Sequence, residues 1–168
     1  TDGNDLGFLV RDIVEGPGSS SPRQITDLGG TAFFVVGHEL WKSDGTDSGT
    51  VLVKALQQIE QLTAVGGTLF FTAADAATGV ELWKSDGSET GTVLLNDINS
   101  GSSSSNPNEF QVFDNKLYFR ATTSSDGNEL WKTDGSSSGT IQVKDINSGS
   151  GWSHPGEFII VNSKLYFT

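Results

Sequence analysis

The sequence contains no cysteine, and this absence removes several kinds of chemistry. Among 168 residues there are 0 Cys, so the chain can form no disulfide bond, no thiolate zinc site and no cysteine nucleophile. Basic residues are also scarce, with 10 Lys and Arg against 21 Asp and Glu and a net charge of −11. Because binding to nucleic-acid phosphates needs clustered Lys and Arg, this balance argues against a duplex nucleic-acid partner.

Long apolar runs are missing as well. No stretch approaches the roughly 20 apolar residues of a membrane-spanning helix, so the sequence predicts no membrane span. The chain instead has 21 Gly, many Ser and Thr, and short groups of Val, Ile, Leu and Phe. This composition is typical of an all-β protein with many turns, and the length is enough for one domain with a core.

One twelve-residue motif occurs three times. It reads ELWKSDGTDSGT at 39–50, ELWKSDGSETGT at 81–92 and ELWKTDGSSSGT at 129–140, with copies beginning 42 and 48 residues apart. A period of this size with several short strands inside it predicts a β-propeller of four-stranded antiparallel blades. No segment keeps a helical period, which excludes a helical solenoid.

The repeat divides the chain into complete and partial blades. We predict a single β-propeller segment over 1–168, with blades at 24–56, 61–98 and 106–146 and part-blades at 1–13 and 158–168. The two part-blades together still lack an ELWK strand. We therefore expect either a longer chain or another copy to complete the ring, since unpaired strand edges favour association.

The three motif copies resemble the bacterial ELWxxDGT repeat. The segments between them, such as VKDINSGS at 143–150 and KLYFRA at 116–121, are similar to the spacers of that repeat, so the resemblance covers nearly the whole chain. It implies a β-propeller in a large, secreted or surface-attached bacterial protein, with no common assigned activity. The turn is also similar to the Asp-box of sialidase-type propellers, which is a structural turn and not a catalytic one.

Most fixed positions of the motif have a structural interpretation. We expect the large rings of Trp41, Trp83 and Trp131 to pack between neighbouring blades. We expect Gly45, Gly87 and Gly135 to take positive φ in their turns. The residues in the middle of each turn differ between copies because they need only face water.

The repeated aspartates Asp44, Asp86 and Asp134 leave two interpretations open. Each carboxylate can accept backbone N–H bonds within its own turn. Alternatively, the aspartates could bind calcium as the one cofactor that the sequence suggests. Calcium takes six or more oxygen ligands, so one carboxylate per turn is few unless a neighbouring loop contributes others.

The segment NSGSGWSHPGEF, 147–158, contains the one candidate binding site that is not repeated. Trp152 and His154 stand where the equivalent segment, 99–110, has Ser104 and Asn106. An aromatic side chain in a Ser- and Gly-rich loop is a usual contact for a protein or a sugar. The other interpretation is that Trp152 packs on an adjacent blade and that His154 is an ordinary surface histidine.

No catalytic residues are predicted, because no nucleophile, base and acid can be assembled from the residues that occur in one blade alone. The sequence thus favours a non-catalytic extracellular or cell-surface module that binds a protein, a surface glycan, another copy or the rest of its own chain. A lectin-like, carbohydrate-binding propeller is the alternative. A propeller hydrolase comes third, and no enzyme activity is expected.

Overall fold

The computed structural model describes residues 9–168, and within them every regular element is a β-strand. The all-β prediction is therefore confirmed. The predicted part-blade at 1–13 lies largely outside the described residues, and residues 9–13 are not in a strand. In the described part of the chain no helix has the length and apolar character needed to cross a membrane.

Within residues 9–168, fourteen strands form three four-stranded sheets and one two-stranded sheet. The first sheet comprises β1 (Arg23–Leu28), β2 (Thr31–Val36), β3 (Glu39–Ser43) and β4 (Val51–Ala55). The second sheet comprises β5 (Gln57–Val65), β6 (Thr68–Ala74), β7 (Glu81–Ser85) and β8 (Val93–Asn96). The third sheet comprises β9 (Asn108–Phe113), β10 (Lys116–Thr123), β11 (Gly127–Thr133) and β12 (Ile141–Lys144). The fourth comprises β13 (Ile159–Val161) and β14 (Lys164–Tyr166).

Each sheet is an antiparallel meander in which strands pair in chain order. Tight turns make this possible: Gly29–Gly30 and Asp114–Asn115 both take positive φ, which is the backbone of a two-residue type I′ hairpin. The ELWK strand is the third strand of each complete sheet. The repeated turn, with its Asp and Gly, then joins the third strand to the fourth.

Neighbouring sheets pack through two separate cores. Phe33 and Leu40 of the first sheet share a core with Phe71 and Trp83 of the second. Phe70 and Leu82 of the second sheet share a core with Leu117 and Phe119 of the third, and Trp131 packs against it. Because strand side chains alternate between faces, the second sheet presents Phe71 to the first sheet and Phe70 to the third.

The first strands of neighbouring sheets also contact one another, β1 with β5 and β5 with β9. The links between sheets differ in length. Only Leu56 separates β4 from β5, whereas residues 97–107 separate β8 from β9 and residues 145–158 separate β12 from β13. These two longer links are called the 97–107 connector and the 145–158 connector below.

Candidate functional site

The repeated aspartates cap their own turns. The Oδ1 atom of Asp86 accepts hydrogen bonds from the Ser88 backbone N–H at 2.8 Å and from the Ser88 hydroxyl at 2.7 Å. Asp44 and Asp134 make the same pair of bonds to Thr46 and Ser136. These bonds, from the hydroxyl first and then from the backbone, hold the pKa of all three carboxyls below the usual value of 3.8.

Packing explains why the second glycine of each turn, at 49, 91 and 139, cannot carry a side chain. The sequence alone did not show this. A Cβ added at Gly91 would overlap the carboxylate of Asp86, and the equivalent glycines in the other two turns meet the same obstacle. Around this contact, the Ser85 hydroxyl lies 2.7 Å from that of Thr92, and the Gly87 N–H donates to Ser85 at 2.9 Å. The turn is thus closed by its own Ser, Asp, Gly and Thr.

The described residues offer no ready-made metal centre at these turns. Over residues 9–168, no group of three or more His, Asp or Glu side chains lies close enough to hold a metal ion. One oxygen of each turn aspartate is already used by donors of its own turn. Asp44, Asp86 and Asp134 therefore cap their own turns, as the first of the two interpretations expects.

The motif lysine has a role that we did not predict from the sequence. Lys42 Nζ donates to the Gly87 carbonyl of the next sheet at 2.8 Å, and Lys84 Nζ donates to the Gly135 carbonyl at 2.8 Å. Each lysine therefore joins its own sheet to the turn of the following one. Its presence in all three motif copies was the available signal.

A second donor, from the fourth strand, reinforces the same junction. Lys54 Nζ donates to the Thr92 carbonyl at 2.9 Å, and Asn96 Nδ2 reaches the Thr140 carbonyl at 3.4 Å. Arg11 Nη1 donates to the Thr50 carbonyl at 2.9 Å in the corresponding place before the first sheet. The middle of the turn thus does more than face water, since Arg11 also donates to the backbone carbonyl of Asp47 at 3.3 Å.

The motif glutamate holds the connectors. Glu81 is fully buried and accepts bonds from the Ile98 N–H at 2.9 Å, the Ser105 N–H at 2.7 Å and the Ser105 hydroxyl at 2.5 Å. Burial raises the pKa of Glu81 above the usual value of 4.5, although these hydrogen bonds oppose the increase. Both ends of the 97–107 connector are thereby attached to one carboxylate.

The glutamates of the other two motif copies show when this residue binds a connector. Glu129 accepts from the Ile146 N–H at 2.9 Å and from the Ser153 hydroxyl at 2.7 Å, so it holds the 145–158 connector. Glu39 has no connector to hold, because β5 begins two residues after β4, and it accepts the Trp41 indole N–H at 2.9 Å instead. The length of the link therefore determines which group the glutamate binds.

The predicted pair Trp152 and His154 lies on the 145–158 connector. The two rings are in edge-to-face contact, with centroids 5.0 Å apart. Trp152 is 56% exposed, and His154 is exposed as well. The indole also rests on the third sheet, since a Cβ added at Gly127 would lie 2.7 Å from Trp152 Cδ1. Both sequence interpretations thus describe part of what is seen: Trp152 is seated on a neighbouring hairpin and still open to solvent.

A row of polar residues with left-handed backbone lies in or just before the first strand of each sheet. Gln24, Gln61, Glu109 and Glu157 occupy equivalent positions, and all have φ between 51° and 62°. Left-handed backbone is uncommon for residues other than glycine. The register of β1, β5 and β9 against their partners shifts nearby, so Gln24, Gln61 and Glu109 sit at β-bulges.

A polar cavity of about 450 Å³ opens beside this row, lined by Gln61, Asn108, Glu109, Arg120 and Phe158 among others. Arg120 is already engaged there, since its Nε donates to Asn108 Oδ1 and its Nη2 lies 3.8 Å from a Glu109 carboxylate oxygen. The sequence analysis missed this row. Its signal was a Gln or Glu directly before the apolar residue of each first strand, in RQI, EQL, NEF and GEF.

Comparison of the chain with protein-family models gives no match, and comparison with curated proteins gives none either.

Proposed function

We propose that this chain is a non-catalytic interaction module of the β-propeller type, and that Trp152 and His154 form its contact surface. The observation that supports this role is the state of Trp152: it is largely exposed, yet held in place. Gly127 lies beneath the indole, and Glu129 fixes the next residue, Ser153, through its hydroxyl. A rigid exposed aromatic loses little conformational entropy on binding, which suits a contact residue.

The propeller arrangement is supported by the way the sheets repeat. Three antiparallel meanders pack face to face in chain order, and their first strands are neighbours. In a propeller the first strands lie nearest the axis and the fourth strands lie outermost. We place the module outside the cell or on its surface, on the ELWxxDGT resemblance alone, and fractionation of the source cells tests that placement.

The distribution of polar side chains also favours binding over catalysis. The buried and capping carboxylates recur from sheet to sheet, and each holds a turn or a connector. We assign the turn aspartates to capping, so excess chelator should leave the melting temperature unchanged. A calcium-dependent increase in that temperature would contradict this assignment.

The test of the contact surface is a matched pair of substitutions in the two connectors. Trp152→Ala should abolish binding to the module's ligand, whether that is a protein of the same cell surface or a polysaccharide. Ser104→Ala changes the equivalent position of the 97–107 connector and should leave binding intact. The melting temperature of Trp152→Ala should remain near that of the unchanged protein. Ser104→Ala should be slightly less stable, because the Ser104 hydroxyl accepts the Val80 N–H at 2.9 Å. Equal binding by the two variants would refute the role of Trp152.

A carbohydrate ligand is the second candidate, favoured by the indole beside an imidazole at the surface. An array of immobilised polysaccharides separates it from the protein-binding role. Retention on a polysaccharide that is lost with Trp152→Ala supports the lectin-like function. Retention only on surface proteins supports the protein-binding module.

A further inference from the structure

A cavity of about 640 Å³ lies at the junction of the first and second sheets. It is lined by the start of β3, the link between β4 and β5, and the residues that end or follow β6, among them His38, Glu39, Leu56, Gln57, Ala74 and Ala76. All of its lining residues belong to two sheets that are complete in the structure, or to segments between their strands. The cavity, called the Glu39 cavity below, is therefore a feature of an interior junction.

At the junction of the second and third sheets, the 97–107 connector occupies the corresponding place. There the Ser104 hydroxyl accepts the Val80 N–H at 2.9 Å. The side-chain oxygen of Asn99 accepts the Ser124 N–H at 3.2 Å. The connector thus supplies acceptors to two main-chain donors that border its path.

Two residues of the Glu39 cavity correspond to these donors. His38 directly precedes its motif glutamate, as Val80 does, and Ala76 follows β6 at the place where Ser124 follows β10. The N–H groups of His38 and Ala76 make no hydrogen bond to residues 9–168. The cavity therefore offers donors at the two places where the next junction has connector oxygens.

The link between the first and second sheets lacks one stretch of the longer connector. Leu56 packs in the first core and Ile98 packs against the second. Gln58 and Asn106 share a left-handed backbone, with φ of 53° and 46°. With these pairs aligned, residues 99–104, Asn-Ser-Gly-Ser-Ser-Ser, have no counterpart in the first link. The Glu39 cavity lies where such a stretch runs at the next junction.

The motif glutamate of the first sheet can exchange its hydrogen-bond partner. Within residues 9–168 its one bond is from the Trp41 indole N–H to the Oε2 atom of Glu39, at 2.9 Å. Where the motif glutamate holds a connector, the buried indole N–H groups of Trp83 and Trp131 have no partner in the described chain. The glutamate thus binds either its own indole or a connector, and the first sheet shows the former arrangement.

We propose that the Glu39 cavity binds a Ser- and Gly-rich peptide segment of a partner protein, held as residues 99–105 are held at the next junction. The site uses none of the residues of the Trp152 surface. It goes beyond the function proposed above and does not depend on the role of Trp152.

Such a peptide has partners for the polar groups that the cavity presents. Its serine hydroxyls and backbone N–H groups donate to Glu39, as those of Ser105 donate to Glu81. Its Asn and Ser side-chain oxygens accept from the N–H groups of Ala76 and His38. A hydrogen bond to a carboxylate is stronger than one between neutral groups, so Glu39 is the main anchor.

The test uses the whole chain, isotope-labelled for NMR, and a capped peptide with the sequence NSGSSSS of residues 99–105. Titration with this peptide should give saturable shifts of the His38 and Ala76 amide signals. Absence of saturable shifts at these two amides would overturn the proposal.

The tryptophan indole signals report the exchange of partners by the glutamate. The Trp41 indole signal should move on peptide binding, because Glu39 turns from the indole to the peptide. The indole signals of Trp83 and Trp131 should stay in place, since their glutamates already hold connectors. Saturable binding without movement of the Trp41 signal would show that the peptide does not engage Glu39, and would also overturn the proposal.

Two substitutions that remove the same charge separate the cavity from the rest of the surface. Glu39→Gln should weaken peptide binding about tenfold, because the main acceptor loses its charge. Glu89→Gln changes an exposed residue outside the cavity and should leave the affinity unchanged. Equal affinities of the two variants would contradict the role of Glu39.

A variant that fills the cavity with its own chain is the sharpest control. Inserting NSGSSS between Leu56 and Gln57 gives the first link the length of the 97–107 connector. This variant should move the Trp41 indole signal without any peptide and should no longer bind the peptide. Peptide binding retained by the insertion variant would place the peptide elsewhere. If the melting temperature shows that the insertion prevents folding, the Glu39→Gln and Glu89→Gln pair decides.

A second copy of the chain is the competing occupant, because its own connectors contain this sequence. Self-association in sedimentation that the Glu39→Gln substitution abolishes, together with no peptide binding, would assign the cavity to another copy and overturn the proposal. Trp152→Ala should bind the peptide as the unchanged protein does. A failure of the role proposed for Trp152 is therefore distinguishable from a failure of the peptide site.

Discussion

At the scale of single residues, the glycine after each turn aspartate shows how one backbone position serves two different surroundings. Gly45, Gly87 and Gly135 have φ of +90°, +88° and +92°, a region that side chains other than glycine rarely adopt. Space around them differs, however. A Cβ at Gly45 would meet nothing within 4 Å, whereas one at Gly87 would lie 2.9 Å from Phe33 Cζ in the preceding sheet.

The pair Gly45→Ala and Gly87→Ala therefore separates strain from crowding. Both substitutions should cost on the order of 1–2 kcal/mol from the left-handed backbone. Gly87→Ala should cost about 1–3 kcal/mol more, because the buried Phe33 ring cannot easily move aside. Unfolding by urea measures both values. Equal losses of unfolding free energy in the two variants would mean that a side chain at position 87 does not clash with Phe33 of the first sheet.

At the scale of elements, the glutamate of the motif ties each long connector to the third strand of its sheet. Glu81 closes a loop between Ile98 and Ser105, and it does so from a fully buried position. A buried carboxylate is costly unless donors surround it, and here three protein donors do so. Connector geometry, and with it the position of the first strand of the next sheet, depends on this one side chain.

Glu81 should also make stability depend on pH in a defined direction. Its pKa is raised in the folded protein, so the folded state binds the proton more tightly than the unfolded state does. This contribution is fully present below about 4.5, the unfolded value, and is lost as pH rises through the folded pKa. The unchanged protein should therefore gain stability relative to Glu81→Gln as pH falls from 7 towards 4.5.

Urea unfolding of both proteins across this pH range measures the difference. Glu39→Gln is a matched control for connector loosening, because no connector follows the first sheet. Hydrogen exchange should become faster in residues 97–107 for Glu81→Gln and stay unchanged there for Glu39→Gln. A stability difference that does not vary with pH would show that Glu81 keeps an ordinary pKa.

At the scale of the whole molecule, stability is divided between two junctions that share the second sheet. Phe71 lies in the core between the first and second sheets, and Phe119 lies in the core between the second and third. Both rings are fully buried. In an array whose units contact only their neighbours, each junction contributes its own share of the folding free energy.

Phe71→Ala and Phe119→Ala should each cost about 3–5 kcal/mol, but in different places. Phe71→Ala should speed hydrogen exchange in the first sheet more than in the third. Phe119→Ala should show the opposite order. Exchange that rises equally in all sheets for both variants would mean that the chain unfolds as one cooperative unit.

The sequence by itself determined the strands, their hairpin turns and the repeated unit. These features depend on neighbours within a few residues: Gly29–Gly30 and Asp114–Asn115 set turn backbones, and alternating residues such as Leu117 and Phe119 set a buried face. For Trp152 the sequence left two predictions open, an exposed contact residue and a residue packed on an adjacent blade. The Ser- and Gly-rich composition of its loop is compatible with both.

Only the tertiary structure decided the junctions between sheets. Lys42 meets the carbonyl of Gly87, and Asn96 meets that of Thr140, through contacts that exist only once two sheets are packed together. Glu39 and Glu81 have the same neighbours in sequence but different partners, because only the second is followed by a long connector. The sequence supplies the groups that can form hydrogen bonds, and the packing of one sheet on the next determines which of these groups come into contact.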